Sequence, residues 1–130
     1  MNYRDTMETL IQATAAYAGL VSINDVAYPN KSFTPPDSGF WLELTIFPNP
    51  IDPDLSGNYV AQRGIWQINV CARKEIGILD LYEKADELLA TGPVKGVSEN
   101  GLVITTAPRI LSAIQLDDRF ILPITIEYSE

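Results

Sequence analysis

Residues 33–58 read FTPPDSGFWLELTIFPNPIDPDLSGN, and this stretch organises the rest of the chain. Pro35 and Pro36 are fixed in φ, so Phe33–Gly39 enters as a stiff, irregular arm. Phe40–Phe47 follows as a short strand by composition. Trp41, Glu43, Thr45 and Phe47 point to one side of it; Leu42, Leu44 and Ile46 point to the other. Pro48, Pro50 and Pro53 then fall within six residues. The connection Pro48–Arg63 is too long for a tight hairpin and too rich in proline for a helix, so it reads as a projecting hairpin or arm.

Working outward, Gly64–Ala72 alternates clearly, with Trp66, Ile68, Val70 and Ala72 on one face and Gln67 and Asn69 on the other. Before the arm, the spacing of Met7, Leu10, Ile11, Thr14 and Ala18 predicts a helix over Thr6–Ala18, capped by Asp5 with Glu8 three residues on and stopped by Gly19. Leu20–Val26 reads as a short extended segment. After the second strand, Ile78, Leu81, Tyr82, Ala85, Leu88 and Leu89 form an apolar stripe that predicts a helix over Ile78–Thr91, ended by Gly92-Pro93. Asp80, Glu83, Lys84 and Glu87 face outward from it as a solvated stripe.

The last third reads as β. Asn100-Gly101 signals a tight turn before Leu102–Thr105. Arg109–Leu116 is a further strand, Asp117-Asp118 a corner, and Arg119–Tyr128 a strand with Phe120, Leu122, Ile124, Ile126 and Tyr128 alternating. Pro123 inside it suggests an edge position or a bulge. The order α-β-β-α-β-β-β implies an α+β fold: a mostly antiparallel or mixed sheet with two helices packed on one face and the proline-rich loop between the first two sheet strands. No repeat or linker divides residues 1–130, which are expected to form one domain.

Composition narrows the chemistry. The chain has 130 residues, 46% of them hydrophobic and 20% charged, which fits a globular domain. No apolar run is long enough to cross a membrane, and MNYRDTMETL has no signal-peptide core, so a cytosolic site of synthesis is expected. Asp and Glu outnumber Lys and Arg 17 to 9, for a net charge of −8. That argues against gripping nucleic acid but is compatible with DNA passing nearby. There is no histidine, which removes His-containing triads, His metal sites and imidazole acid–base chemistry. The single cysteine, Cys71, lies in a strand and reads as a small buried hydrophobe.

The remaining constellations are weak. Asp52-x-Asp54 offers oxygen ligands, but the glycine and distal glutamate of a calcium loop are missing. Asp117-Asp118-Arg119 could be paired carboxylates, although Asp is favoured at a strand corner for its backbone bonding alone. Trp41 and Trp66, with Tyr17, Tyr59, Tyr82 and Phe120, could line a small-molecule pocket, but aromatics on strands facing helices are usually core. Asn30-Lys31-Ser32 fits a glycosylation acceptor only in a secreted chain. No phosphate loop, nucleophile elbow or metal-ligand cluster is present. No cofactor or metal is therefore expected, nor an enzyme.

Several segments taken in order resemble the small phage tail terminator proteins of siphophage type. They are FTPP…GFWLELTIFPN, the arm after it, GIWQINV at Gly64–Val70, Ala85-Asp86-Glu87-Leu88-Leu89, and the closing DRFILPITI at Asp118–Ile126. The resemblance runs from about Phe33 to Tyr128. Two connections depart from the family pattern: RKEI at Arg73–Ile76 is followed by Gly77 alone, and Gly92–Gly96 lacks an aromatic-proline start.

The resemblance implies a phage or prophage structural protein without catalysis. It implies a homo-oligomeric ring, commonly a hexamer, that caps the tail tube, stops its polymerisation and offers a head-joining surface. The implied partners are further copies of itself, the tail tube protein and a head-completion protein, with DNA passing through unread and no membrane. The implied location is the virion tail, after synthesis in the bacterial cytoplasm. A ring needs two different complementary patches on each subunit. The proline-stiffened arms supply the candidates: Phe33, Pro35 and Pro36 on one, and Pro48, Asn49, Asp52, Asp54, Leu55 and Tyr59 on the other. A head–tail connector and a small-ligand or peptide-binding module remain the competing readings, beside a hydrolase built on Asp117 and Asp118.

Overall fold

The computed structural model describes residues 1–49 and 61–130. Its elements are α1 (Tyr3–Leu20), β1 (Val26–Ala27), β2 (Phe40–Pro48), β3 (Arg63–Arg73), α2 (Ile78–Thr91), β4 (Ser98–Glu99), β5 (Leu102–Ile104), β6 (Arg109–Ile110), β7 (Ile114–Gln115) and β8 (Arg119–Ser129). They form a mixed eight-stranded sheet in the order β1-β2-β3-β8-β5-β4, with β6 and β7 also paired to β8. Both helices lie on one face, giving the α+β architecture that the alternation of strand and helix patterns implies.

Three long strands form the frame. β3 pairs antiparallel with β2 from Phe40↔Ala72 to Pro48↔Gly64, and with β8 from Arg63↔Ser129 to Arg73↔Arg119. The alternation read from the sequence sets which side chains go inward. Leu42 and Leu44 of β2, Trp66, Ile68 and Val70 of β3, and Leu122, Ile124 and Ile126 of β8 join one buried core. α2 matches its predicted span and closes that core with Leu81, Ala85 and Leu88. Its stripe is narrower than the sequence suggests, because Ile78 and Tyr82 remain 42% and 37% exposed. Each fully buried Leu or Ile here contributes about 1.5–3 kcal/mol of transfer free energy.

α1 differs from its predicted form. It begins at Tyr3, and its cap is Asn2 rather than Asp5: Asn2 Oδ1 accepts from the Asp5 N–H at 2.8 Å. A capping carbonyl satisfies an N–H three residues on, so the acceptor had to lie upstream of the first apolar position. Glu8 is not part of a capping box; it pairs with Arg4 at 3.3 Å. The helix also runs through Gly19 and stops only when Ile23 N–H turns back to the Ala18 carbonyl at 2.9 Å. Its buried side is largely threonine and alanine: Thr6, Thr9, Ala13, Thr14 and Ala18 beside Leu10.

Other boundaries also move. The extended segment after α1 reduces to Val26–Ala27, paired parallel to Leu42–Glu43. Arg109–Leu116 is not one strand but two short ones, β6 and β7, separated along β8. That break explains Pro123, which occupies neither an edge strand nor a bulge but the central strand β8. Its carbonyl accepts from the Leu111 N–H at 2.9 Å, so its missing N–H faces the same gap between β6 and β7. The one bond that proline forgoes is the reciprocal one to the Leu111 carbonyl, at the point where β6 ends.

Gly64 permits a close approach at the other end of β3. A Cβ on it would sit 2.4 Å from the Phe47 carbonyl oxygen and 2.7 Å from the Tyr128 hydroxyl, so only glycine lets the Tyr128 ring lie across the strand.

Candidate functional site

The face of the sheet opposite the helices has its own small buried cluster. Alternation places Trp41, Cys71 and Ile121 level with one another on that face, with Glu43, Arg73 and Arg119 around them. Trp41 and Cys71 are fully buried, yet neither belongs to the helix-side core. The Arg73 guanidinium stands 5.3 Å from the Trp41 ring centroid and that of Arg119 stands 5.9 Å from it. Arg119 Nη1 meets Glu43 Oε1 at 2.6 Å, and Trp41 Nε1 donates to the same oxygen at 3.3 Å. The indole is therefore held between cations whose charge a neighbouring carboxylate offsets.

The proline arm closes this cluster. Arg73 donates from Nε to the Pro36 carbonyl at 3.0 Å and from Nη2 to the Pro35 carbonyl at 3.4 Å. Pro35, Pro36 and Phe33 are half-buried, so the arm lies on its own sheet. Burial pushes the Cys71 thiol well above its ordinary pKa, with the nearby Glu43 carboxylate adding to the rise and Arg119 opposing it. Cys71 is thus the buried, unreactive strand residue that its position in the sequence suggested.

The second candidate patch lies at the far end of β2. Pro48 and Asn49 are exposed, and Asn49 is tied to Arg63 twice: its N–H donates to the Arg63 carbonyl at 2.8 Å, and its carbonyl accepts from Arg63 Nε at 3.0 Å. Asp52, Asp54, Leu55 and Tyr59 lie outside the described residues. The two patches stand at opposite ends of β2, roughly 27 Å apart at about 3.3 Å per residue. They are two separate sites rather than one.

The alternative constellations do not assemble. Asp117 and Asp118 are exposed at the turn before β8, where Asp118 meets Arg73 at 3.3 Å and Arg119 at 3.8 Å. Two solvated carboxylates at a turn do not form a general acid–base pair, which removes the hydrolase reading. The aromatic residues are also dispersed. Trp66 lies in the helix-side core with Tyr17 at 6.1 Å, Trp41 lies on the other face, Tyr82 is exposed on α2, and Tyr59 is outside the described residues. Among the described residues, no group of three or more Cys, Asp or Glu side chains could hold a metal ion. Among the described residues no helix is long and apolar enough to cross a membrane.

Sequence reasoning missed the Glu43–Arg73–Arg119 setting of Trp41. The available signal was the i, i+2 pairing of Trp41 and Glu43 on a strand face carrying no helix pattern. The contacts from Arg73 and Arg119 depend on a register that one chain's periodicity does not specify.

Comparison with known proteins adds the family. A profile described as phage tail terminator protein matches residues 7–128, nearly the whole chain. One solved chain, known only by a sequence identifier, is 24% identical with a TM-score of 0.71, covering 94% of this chain and 93% of its own. A chain from the virion of a native gene transfer agent particle is 14% identical with a TM-score of 0.54, covering 95% of this chain and 92% of its own. Both likenesses speak to the fold. No curated protein matches at a significant level.

Proposed function

The chain belongs to the phage tail terminator protein family, and we propose that it acts as a non-catalytic ring that caps the tail tube. In this reading residues 1–130 work as one domain, the ring stops tube polymerisation, and its outer rim offers the surface to which the head joins. Its partners are further copies of itself in a ring of commonly six, the tail tube protein and a head-completion protein. Its place is the virion tail. The observation that carries the proposal is the family match over residues 7–128.

The physics of the fold supports it. A heterologous ring needs two unlike patches per subunit. The ends of β2 offer two such patches, with Phe33, Pro35 and Pro36 at one and Pro48 and Asn49 at the other; Asp52, Asp54, Leu55 and Tyr59, which follow in sequence outside the described residues, are proposed to join the second. Proline lowers the conformational freedom such segments lose on docking. The net charge of −8 suits a channel through which DNA passes without being gripped.

The test is light scattering of the purified protein over a range of concentrations, with electron microscopy of tail tubes incubated with it. Discrete rings, free or at tube ends, with tube growth arrested, are the expected result. A protein that stays monomeric at high concentration and leaves tube ends bare overturns the reading. Replacing Pro48–Asn58 by a short glycine-rich turn is expected to leave thermal stability nearly unchanged and to impair capping.

A further inference from the structure

The two long sides of the sheet are finished differently. On β2, among the described residues, only Leu42 and Glu43 have an outer neighbour, β1. The Leu42 N–H donates outward to the Asp25 carbonyl at 3.0 Å. Backbone groups alternate sides along a strand, so Leu44 and Ile46 aim their N–H and C=O groups the same way. Among the described residues no strand pairs with them there. The chain that formed β1 departs at Pro29, which has no N–H to offer, and turns as Lys31 N–H bonds the Tyr28 carbonyl. Beside this open edge lies a groove of about 580 Å³ lined by Met7 and Ile11 of α1, by Pro29 and Asn30, and by Leu44–Ile46. An open strand edge beside an apolar groove suits an added strand, whose main chain bonds the edge while alternate side chains enter the groove.

The opposite side of the sheet supplies a complement. β6 and β7 pair only with β8 among the described residues; Ile110 shares a row with Ile124, Ile68 and Leu44 on the groove's side of the sheet, while Leu111 and Ile114, 43% and 48% exposed, lie toward the other face and would flank the junction there. Each step from β2 to β3, to β8, to β6 and β7 is antiparallel. The two outermost strands therefore run in opposite directions, and copies placed side by side by rotation meet antiparallel at the junction. The charges match as well. Arg109 on β6 is exposed and has no ion pair among the described residues, whereas the β2 side carries the carboxylates Asp25 and Glu43, the latter partly exposed and holding Arg119 of its own chain through Oε1. Arg109 shares a row with Thr125, Gln67 and Thr45, so in straight register it comes level with Thr45 of the next copy, one diagonal step from Glu43.

We infer that the β2 edge and its Met7–Ile11 groove take the β6–β7 edge of a second copy, so that the sheet continues from subunit to subunit. This rests on the ring reading and names its contact. The contact is heterologous and grows until rotation closes it.

Thiol crosslinking tests it in a Cys71→Ala background. Thr45→Cys and Leu111→Cys are made singly and together, then treated with a short flexible bis-maleimide at ring-forming concentration and on tail tubes. The expected result is a ladder of crosslinked multimers for the double variant and none for either single. Dimers from Thr45→Cys alone indicate a two-fold β2–β2 contact and overturn the inference. Rings without crosslinks overturn it while leaving the ring reading intact; the absence of any ring overturns both. Ile46→Pro, which removes one outward N–H and spares the β2–β3 ladder, is expected to abolish rings with an unchanged circular dichroism spectrum. If that variant does not fold, Leu111→Asp with Ile114→Asp, at exposed positions, is expected to do the same, and intact rings from it overturn the inference.

Discussion

The chain has two tryptophans, both fully buried, and they are buried by different means. Trp66 lies under α1, where its Nε1–H bonds Thr14 Oγ1 at 3.0 Å and its ring stands 6.1 Å from Tyr17. Its surroundings come from segments far apart in sequence and are mostly apolar. Trp41 has no helix above it. It is enclosed by two guanidinium groups and a short proline arm pinned to Arg73. One face of the sheet is thus built by packing between elements, and the other by local chain and charge. The first is the part that holds the fold together. The second leaves most of its strand residues only half-buried, Glu43, Thr45, Gln67, Asn69 and Thr125 among them.

The largest test of this contrast is Trp66→Ala. Removing the indole leaves a cavity that α1 cannot easily collapse into, and it removes the bond from Trp66 Nε1–H to the Thr14 hydroxyl. The expected loss is about 3–5 kcal/mol, read by chemical denaturation. Trp41→Ala should cost less, about 2–3 kcal/mol, because the proline arm can settle into the space. Limited proteolysis of that variant should cut faster within residues 33–39. Equal losses at both tryptophans, with no change in cleavage, would remove the distinction between the faces.

The same contrast explains what the sequence revealed. Periodicity of two identified β2, β3 and β8 and put their alternating apolar side chains, such as Trp66, Ile68, Val70, Leu122, Ile124 and Ile126, on one face of each strand. It also placed α2, whose stripe and Gly92-Pro93 stop are unambiguous. It misplaced both ends of α1, because Asp5 with Glu8 resembles a capping pair and Gly19 a stop, whereas Asn2 caps the helix and the chain turns back only at Ile23. It joined β6 to β7 because only the pairing with β8 reveals the gap at Pro123. The candidate site was half legible. The proline arm was visible as an arm, but its docking on Arg73 depends on a long-range approach that no local pattern carries.

Arg73→Ala tests that docking. Loss of two charge-assisted bonds to the Pro35 and Pro36 carbonyls, at a partly exposed side chain, should cost about 1–2 kcal/mol. The clearer readout is Cys71. Burial raises its pKa and keeps reagents away, so the native thiol should label slowly. Freeing the arm admits water, lowers that pKa and exposes the sulfur, and labelling should accelerate severalfold. Unchanged labelling would mean that the strands alone shield the thiol and that the arm is not a cover.

The smallest effect is expected at Asp118, and it separates two arginine partners on the same face. Asp118 touches both Arg73 and Arg119, but its side chain is 61% exposed, so water and salt screen the pairs. Glu43 holds Arg119 at 2.6 Å with both side chains 25% exposed, and it also accepts from Trp41. Asp118→Asn should therefore change stability by less than about 0.5 kcal/mol, and by less still in high salt. Glu43→Gln should cost more at every salt concentration, because it leaves the Arg119 guanidinium without the carboxylate that offsets its charge beside the indole. Denaturation of both variants at low and high ionic strength decides the point. If Asp118→Asn is the costlier change, the cluster around Trp41 is held from its solvent rim, and the open face is organised from the turn at Asp117-Asp118 rather than from β2.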